Sequence, residues 1–243
     1  MMALVLALPP IAIFTARPDK YLSVHLLLEM FAISVSLMIV TTAWNSQGQD
    51  EETMARAMVF GFTSVAGLDI LHTLYYPGMP SLIVDGSTNT AIFFWLSSRA
   101  VEVSVLCLAA LSFNLSGSRW IWLAAGIMLV ITLFLIATQR PEWLPLTYIP
   151  GSGLTPLKNI CEYLLCAANL GLALWLFIRS RQTKSKQELW LGTACFITDM
   201  AALAFTQYKS VSEFINLFGH LYKVAAYCFF YLATFQIAVR KPY

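Results

Sequence analysis

Charge is what this chain has least of. Only 12% of its 243 residues are charged, while 58% are hydrophobic. A soluble domain carries about 25% charged residues, and half that number cannot clothe a solvated surface, so the composition defines an integral membrane protein. No block of basic residues is present and the net charge is +2, which removes nucleic acid from the partners. Residues 1–15 lack a basic start and a cleavage site, so they are no signal peptide. The five cysteines, Cys107, Cys161, Cys166, Cys195 and Cys228, avoid polar loops, and the spacing of Cys161 and Cys166 is not that of metal ligands. Free, membrane-buried thiols are expected.

What is there is length of apolar run. A helix crossing a bilayer needs about 20 mostly apolar residues. Seven runs qualify, at 21–44, 55–76, 91–113, 119–138, 156–179, 187–207 and 213–238, and residues 2–15 offer a short or clipped eighth. Runs this long cannot be barrel strands. The expected fold is therefore all-α, a polytopic transmembrane helix bundle of 7–8 spans, with residues 1–243 forming one membrane-embedded domain. Pro77-Gly78 closes one span, Thr155-Pro156 opens another as N-cap and first helical residue, and Ser87, Thr88 and Asn89 offer a cap before a third. Loop 179–187 carries Arg179, Arg181, Lys184 and Lys186, and the C-terminal end carries Arg240 and Lys241. Positive loops stay inside, which places these ends in the cytoplasm and loops 77–90 and 139–155 outside, with the turn near 208–212. Acidic Asp50, Glu51 and Glu52 fall on the cytoplasmic side, where they contribute little to the rule.

The few ionisable residues within the spans are not scattered. His25, His72 and His220 fall on three spans at one depth near the outer ends. Glu29 follows His25 by four, Asp69 precedes His72 by three, and Lys223 follows His220 by three. Arg99 and Glu102 make an i,i+3 pair, Lys158 and Glu162 an i,i+4 pair, and Asp199 lies in the outer half of its span. Each buried charge costs at least about 2.5–3.5 kcal/mol in mid-membrane. These residues must therefore meet one another inside the bundle or line a wet cavity. Arg99/Glu102 and Lys158/Glu162 also suit plain structural ion pairs. Tyr75, Tyr76, Trp143, Tyr148 and Trp44 read as an interfacial belt, and Met30, Met38 and Met58 as packing.

The segments HLLLEMFAISVSLMIVTTAWNS, GLDILHTLYYPGMP, NTAIFFWLSSRAVEV, GSGLTPLKNICEYLL and NLFGHLYKVAAYCFFYLA occur in order from Tyr21 onward. In them the chain resembles the third type of membrane-associated sensor domain of bacterial signalling proteins. The resemblance implies a multi-helix input module in the bacterial inner membrane, not itself an enzyme. It also implies a cytoplasmic output after the last helix, a histidine kinase of a two-component system or a GGDEF diguanylate cyclase making cyclic di-GMP. It places His25, Glu29, Asp69, His72, Arg99, Glu102, Lys158, Glu162, His220 and Lys223 in the family pattern. Leu157 departs from it, standing where an aromatic residue is common, and so does the short first span. The chain stops at RKPY, where an output module is expected to begin, and reads as an isolated or truncated input domain.

The expected function is sensing: a small ligand, metal or cofactor binds in the outer polar cavity, and the last span passes the signal inward. His25, His72 and His220 are the candidate metal ligands. The cofactor is left open between a transition-metal ion and haem on histidine axial ligands, with a quinone-like or amphipathic ligand as a further option. Expected partners are the bilayer, the output module, the small ligand or metal, and a second copy of the chain. A membrane-embedded zinc hydrolase is the alternative, using the three imidazoles and Glu29 or Asp69 as base. The absence of a His-x3-His pair weighs against it. A small transporter is a third option, weakened because no repeat or pair of broken spans is visible.

Overall fold

The computed structural model describes residues 11, 20–46, 52–80, 85–110, 115–207 and 214–240. Apart from Ile11, the expected span at 2–15 lies outside them, as do Asp50, Glu51, the turn at 208–212 and Lys241. Seven long helices follow in order: α1 (Tyr21–Asn45), α2 (Glu52–Leu74), α3 (Thr88–Ala110), α4 (Arg119–Gln139), α5 (Pro156–Thr183), α6 (Lys186–Ala204) and α7 (Phe214–Arg240). Among the described residues, five helical stretches are long and apolar enough to cross a membrane: Tyr21–Asn45, Thr53–Leu74, Thr88–Ala110, Arg119–Gln139 and Pro156–Thr183. The expected spans at 187–207 and 213–238 are helices too, α6 and α7, but they fall outside that set, so the count of 7–8 spans is not reproduced. The 19 residues of α6 include Lys186, Glu188 and Asp199, and α7 carries His220 and Lys223.

Six of the helices close on themselves. Helix α1 packs on α2 and α7, α2 on α3, α3 on α5, α5 on α6, and α6 on α7. Helix α4 stands outside this ring, packed on α2. The reason is readable residue by residue. Beyond Arg119, α4 contains no ionisable side chain, and only Gly126 and Ala137 are buried. Its backbone comes so close to α2 that a Cβ at Gly126 would lie 2.9 Å from the Phe60 carbonyl oxygen, the small-residue contact that membrane helices use in place of a hydrophobic drive.

Local chemistry sets the helix ends. The Thr155 hydroxyl accepts from the Lys158 N–H at 3.3 Å, with Pro156 at the first helical position. The Ser87 hydroxyl accepts from the Thr90 N–H at 3.0 Å. Gly78 takes φ +90° beyond α2, a conformation that costs glycine little. Between α4 and α5 lies a two-stranded hairpin, β1 (Tyr148–Ile149) antiparallel to β2 (Gly153–Leu154). Asn89, at the start of α3, holds this segment by accepting from the Thr147 N–H at 2.6 Å and donating to the Pro145 carbonyl at 3.1 Å.

The interior of the ring is divided along its length. Away from the hairpin it is filled by Ile39, Met58, Phe62, Leu176, Ala194 and Phe230, all buried. Toward the hairpin it is filled by charge. Met58 packs as expected, but Met30 and Met38 are 49% and 45% exposed and face outward. Their neighbours on α1, Glu29 and Ile39, take the inward positions.

Candidate functional site

At the hairpin end, the i,i+4 stagger of α1 puts His25 and Glu29 on one inward face. Both side chains are fully enclosed, as is Asp69 on α2. Glu29 faces α7: Lys223 Nζ donates to its Oε2 at 2.7 Å. The same ammonium lies 2.8 Å from Asp69 Oδ2, so one lysine on α7 joins carboxylates on α1 and α2. His220 Nδ1 sits 2.9 Å from Glu29 Oε1, at ion-pair distance but not aligned for a hydrogen bond.

Arg99 extends the network toward the middle of the bundle. Its guanidinium donates to Glu102, to both Asp69 oxygens at 3.3 Å and to the Tyr227 hydroxyl at 2.6 Å. Ser98 donates to Asp69 Oδ1 at 2.7 Å, and Tyr227 to Glu102 Oε2 at 3.0 Å. Trp95 lies between the two cations, its ring 4.8 Å from the Arg99 guanidinium and 4.9 Å from the Lys223 ammonium, a favourable cation–π distance. The formal charges do not cancel: Glu29, Asp69 and Glu102 face Arg99 and Lys223, three negative against two positive. An apolar surrounding magnifies that excess.

The three histidines converge. The His25 ring centroid lies 4.5 Å from that of His220 and 5.6 Å from that of His72. The His72 Nδ1 is 2.8 Å from the Ala91 carbonyl. A carbonyl only accepts, so Nδ1 carries the proton and the Nε2 of the neutral ring is a lone pair. That Nε2, and both ring nitrogens of His25, have no hydrogen-bond partner among the described residues. Ligand atoms of His25, Glu29 and His72 lie within 4.8 Å of one another. That set exchanges the expected His220 for Glu29, because His220 turns its Nδ1 to the Glu29 carboxylate.

Lys158 and Glu162 pair on α5 at 3.1 Å, joined to the cluster through Trp95, whose indole N–H donates to Glu162 Oε1 at 3.0 Å. Lys158 also donates to the Phe205 carbonyl at the end of α6. Asp199 stands apart, accepting from Asn169 at 3.2 Å. Tyr76 is not a belt residue as expected. It is 6% exposed and stacks on His25 at 4.0 Å, because the turn at Pro77-Gly78 folds it back over the ring. Trp143 does stand outside, 68% exposed. A cavity of about 30 Å³ opens beside the cluster, lined by His72, Trp95, Lys158, Phe205, Asn216 and His220 among others.

Four contributors carry no charge and do not stand out in the sequence: Trp95, Ser98, Asn216 and Tyr227. Trp95 precedes Arg99 by four residues and Tyr227 follows Lys223 by four, so each shares a helix face with a buried cation. That spacing was the available signal. Ser98 and Asn216 carried none.

A ring of apolar helices around a buried network of charged side chains defines a membrane-embedded helical module with a polar interior. A model of the third type of membrane-associated sensor domain (MASE3) matches residues 16–242, and the chain belongs to that family. No curated protein and no solved structure matched the chain.

Proposed function

We propose that this sensor domain receives its signal as a small ligand at the histidine–carboxylate cluster and relays it through α7 to a cytoplasmic output module. The observation that carries the reading is Lys223. It sits on the last helix and holds Glu29 of α1 and Asp69 of α2 at 2.7 and 2.8 Å. Whatever engages those carboxylates competes with the helix that leads to the C-terminus. A ligand shifts such an equilibrium by its difference in affinity for the two arrangements, and here that difference arises at an output-helix side chain. The cluster lies at the outer face of a bacterial inner membrane, and the C-terminus is cytoplasmic, as the basic loop 179–187 implies. The output module is a histidine kinase or a diguanylate cyclase.

The test is a fusion of the chain, through Tyr243, to a GGDEF cyclase, with cyclic di-GMP measured in cells. Asp69→Asn and His220→Ala, at normal protein levels, are expected to lock output in one state. Output and response equal to wild type in both would contradict the reading. Topology is checked in parallel on a background cleared of native cysteines. An impermeant thiol reagent should label a cysteine at Glu142 from outside and fail to label one at Gln182.

A further inference from the structure

We infer that the ligand of this site is a divalent transition-metal ion, held by His25 Nδ1 or Nε2, His72 Nε2 and the Glu29 carboxylate, and that it acts by taking Glu29 from Lys223. This names the ligand class of the site and so rests on the sensor reading. Four observations carry it. Three ring nitrogens on His25 and His72 are buried without a partner, and each unmet polar atom costs about 1–3 kcal/mol. The Ala91 carbonyl presets the His72 tautomer with its lone pair at Nε2, the outer contact that metal-binding imidazoles use. The cluster holds one more carboxylate than cation, the sign that draws in a positive ion. Finally, the three ligand atoms already lie within 4.8 Å of one another.

Bonds of about 2.0–2.1 Å around a tetrahedral ion set its ligands roughly 3.3 Å apart. Side-chain movement on the order of 1 Å closes that gap. Two imidazoles and a carboxylate suit zinc or another late first-row divalent ion. The cavity of about 30 Å³ on the His72 side of the cluster has room for a water or two. Haem needs a pocket of several hundred Å³ and does not fit among these rings. When the ion recruits Glu29, Lys223 keeps Asp69 at 2.8 Å. No charge is left bare: the α2–α7 tie is already in place and stays, and the α1–α7 tie is exchanged for an α1–α2 tie through the ion. That exchange is the step that moves the output helix.

The purified full chain is titrated with Co²⁺ and then Zn²⁺. The wild type should bind one equivalent of Co²⁺ with the visible bands of a four-coordinate N/O site and no thiolate charge-transfer band, and Zn²⁺ should displace it. His25→Ala and His72→Gln should each weaken binding at least about 100-fold. Lys223→Gln should tighten it by roughly 10-fold, because it removes a positive charge beside a ligand oxygen. A purely structural role for Lys223 gives no such gain. No stoichiometric binding by wild type, a thiolate band, or unchanged affinity in both histidine variants overturns the inference. The cyclase-fusion test of the sensor reading still stands in that event. Metal binding as expected, with a fusion output indifferent to Asp69→Asn and His220→Ala, would instead sink the sensor reading and leave the ion site.

Discussion

The two halves of the helix ring are built from the same six helices by opposite chemistry. Away from the hairpin, Ile39, Met58, Phe62, Leu176 and Phe230 belong to a buried cluster that holds no charged side chain. Toward the hairpin, the same helices carry His25, Glu29, Asp69, Arg99, Lys158 and His220, all buried. The apolar half shows that these helices can be held by packing alone. Burying ion pairs is no cheaper, since well-packed apolar residues of similar volume often hold a site as well or better. Stability therefore does not account for the polar half, which needs a reason in function.

The comparison breaks most violently at Arg99. It serves Asp69, Glu102 and Tyr227 together, so Arg99→Met leaves Glu29, Asp69 and Glu102 buried with Lys223 as the one cation of that network. The expected loss is about 3–5 kcal/mol or failure to fold, read as a melting temperature in detergent. In the apolar half, Phe62→Ala removes a ring that is 1% exposed and packs edge-on to Tyr227 and Phe230. It should cost about 3–5 kcal/mol by its cavity and leave metal affinity within roughly twofold. The smallest effect sharpens the contrast. Replacing both members of the Lys158–Glu162 pair, as Lys158→Met with Glu162→Gln so that the Trp95 indole N–H keeps an acceptor, should change stability by no more than about 1 kcal/mol. Each single change should cost several times that.

The charged members of the site were legible in the sequence because a charge in an apolar run has so few solutions. It cannot face lipid, so Glu29, Asp69, Arg99, Glu102 and Lys223 had to face one another. What sequence could not supply was pairing across helices: that Lys223 bridges α1 and α2, and that Glu29 rather than His220 completes the set with His25 and His72. Uncharged contributors were hidden for a related reason. A tryptophan or tyrosine is at home against lipid, against packing or beside a cation, so Trp95, Tyr76 and Tyr227 declare nothing by composition. The hairpin at residues 148–154 was invisible because two-residue strands leave no periodicity. The outlying place of α4 is legible in the lack of any ionisable residue beyond Arg119.

On the proposed function, the polar half serves signalling and the apolar half serves folding. The most direct test sets His72→Ala beside Phe62→Ala in one cyclase fusion, with melting temperature and cyclic di-GMP output measured on both. His72 contributes one side-chain hydrogen bond, to the Ala91 carbonyl, worth about 1 kcal/mol, and ring contacts with His25, Tyr76 and Trp95; it already borders a cavity, so its truncation should cost less than that of Phe62. A His72→Ala protein should melt closer to wild type than a Phe62→Ala protein and have its output locked, whereas the Phe62→Ala protein should melt lower with its output still responsive. A well-folded His72→Ala protein that signals normally would contradict it.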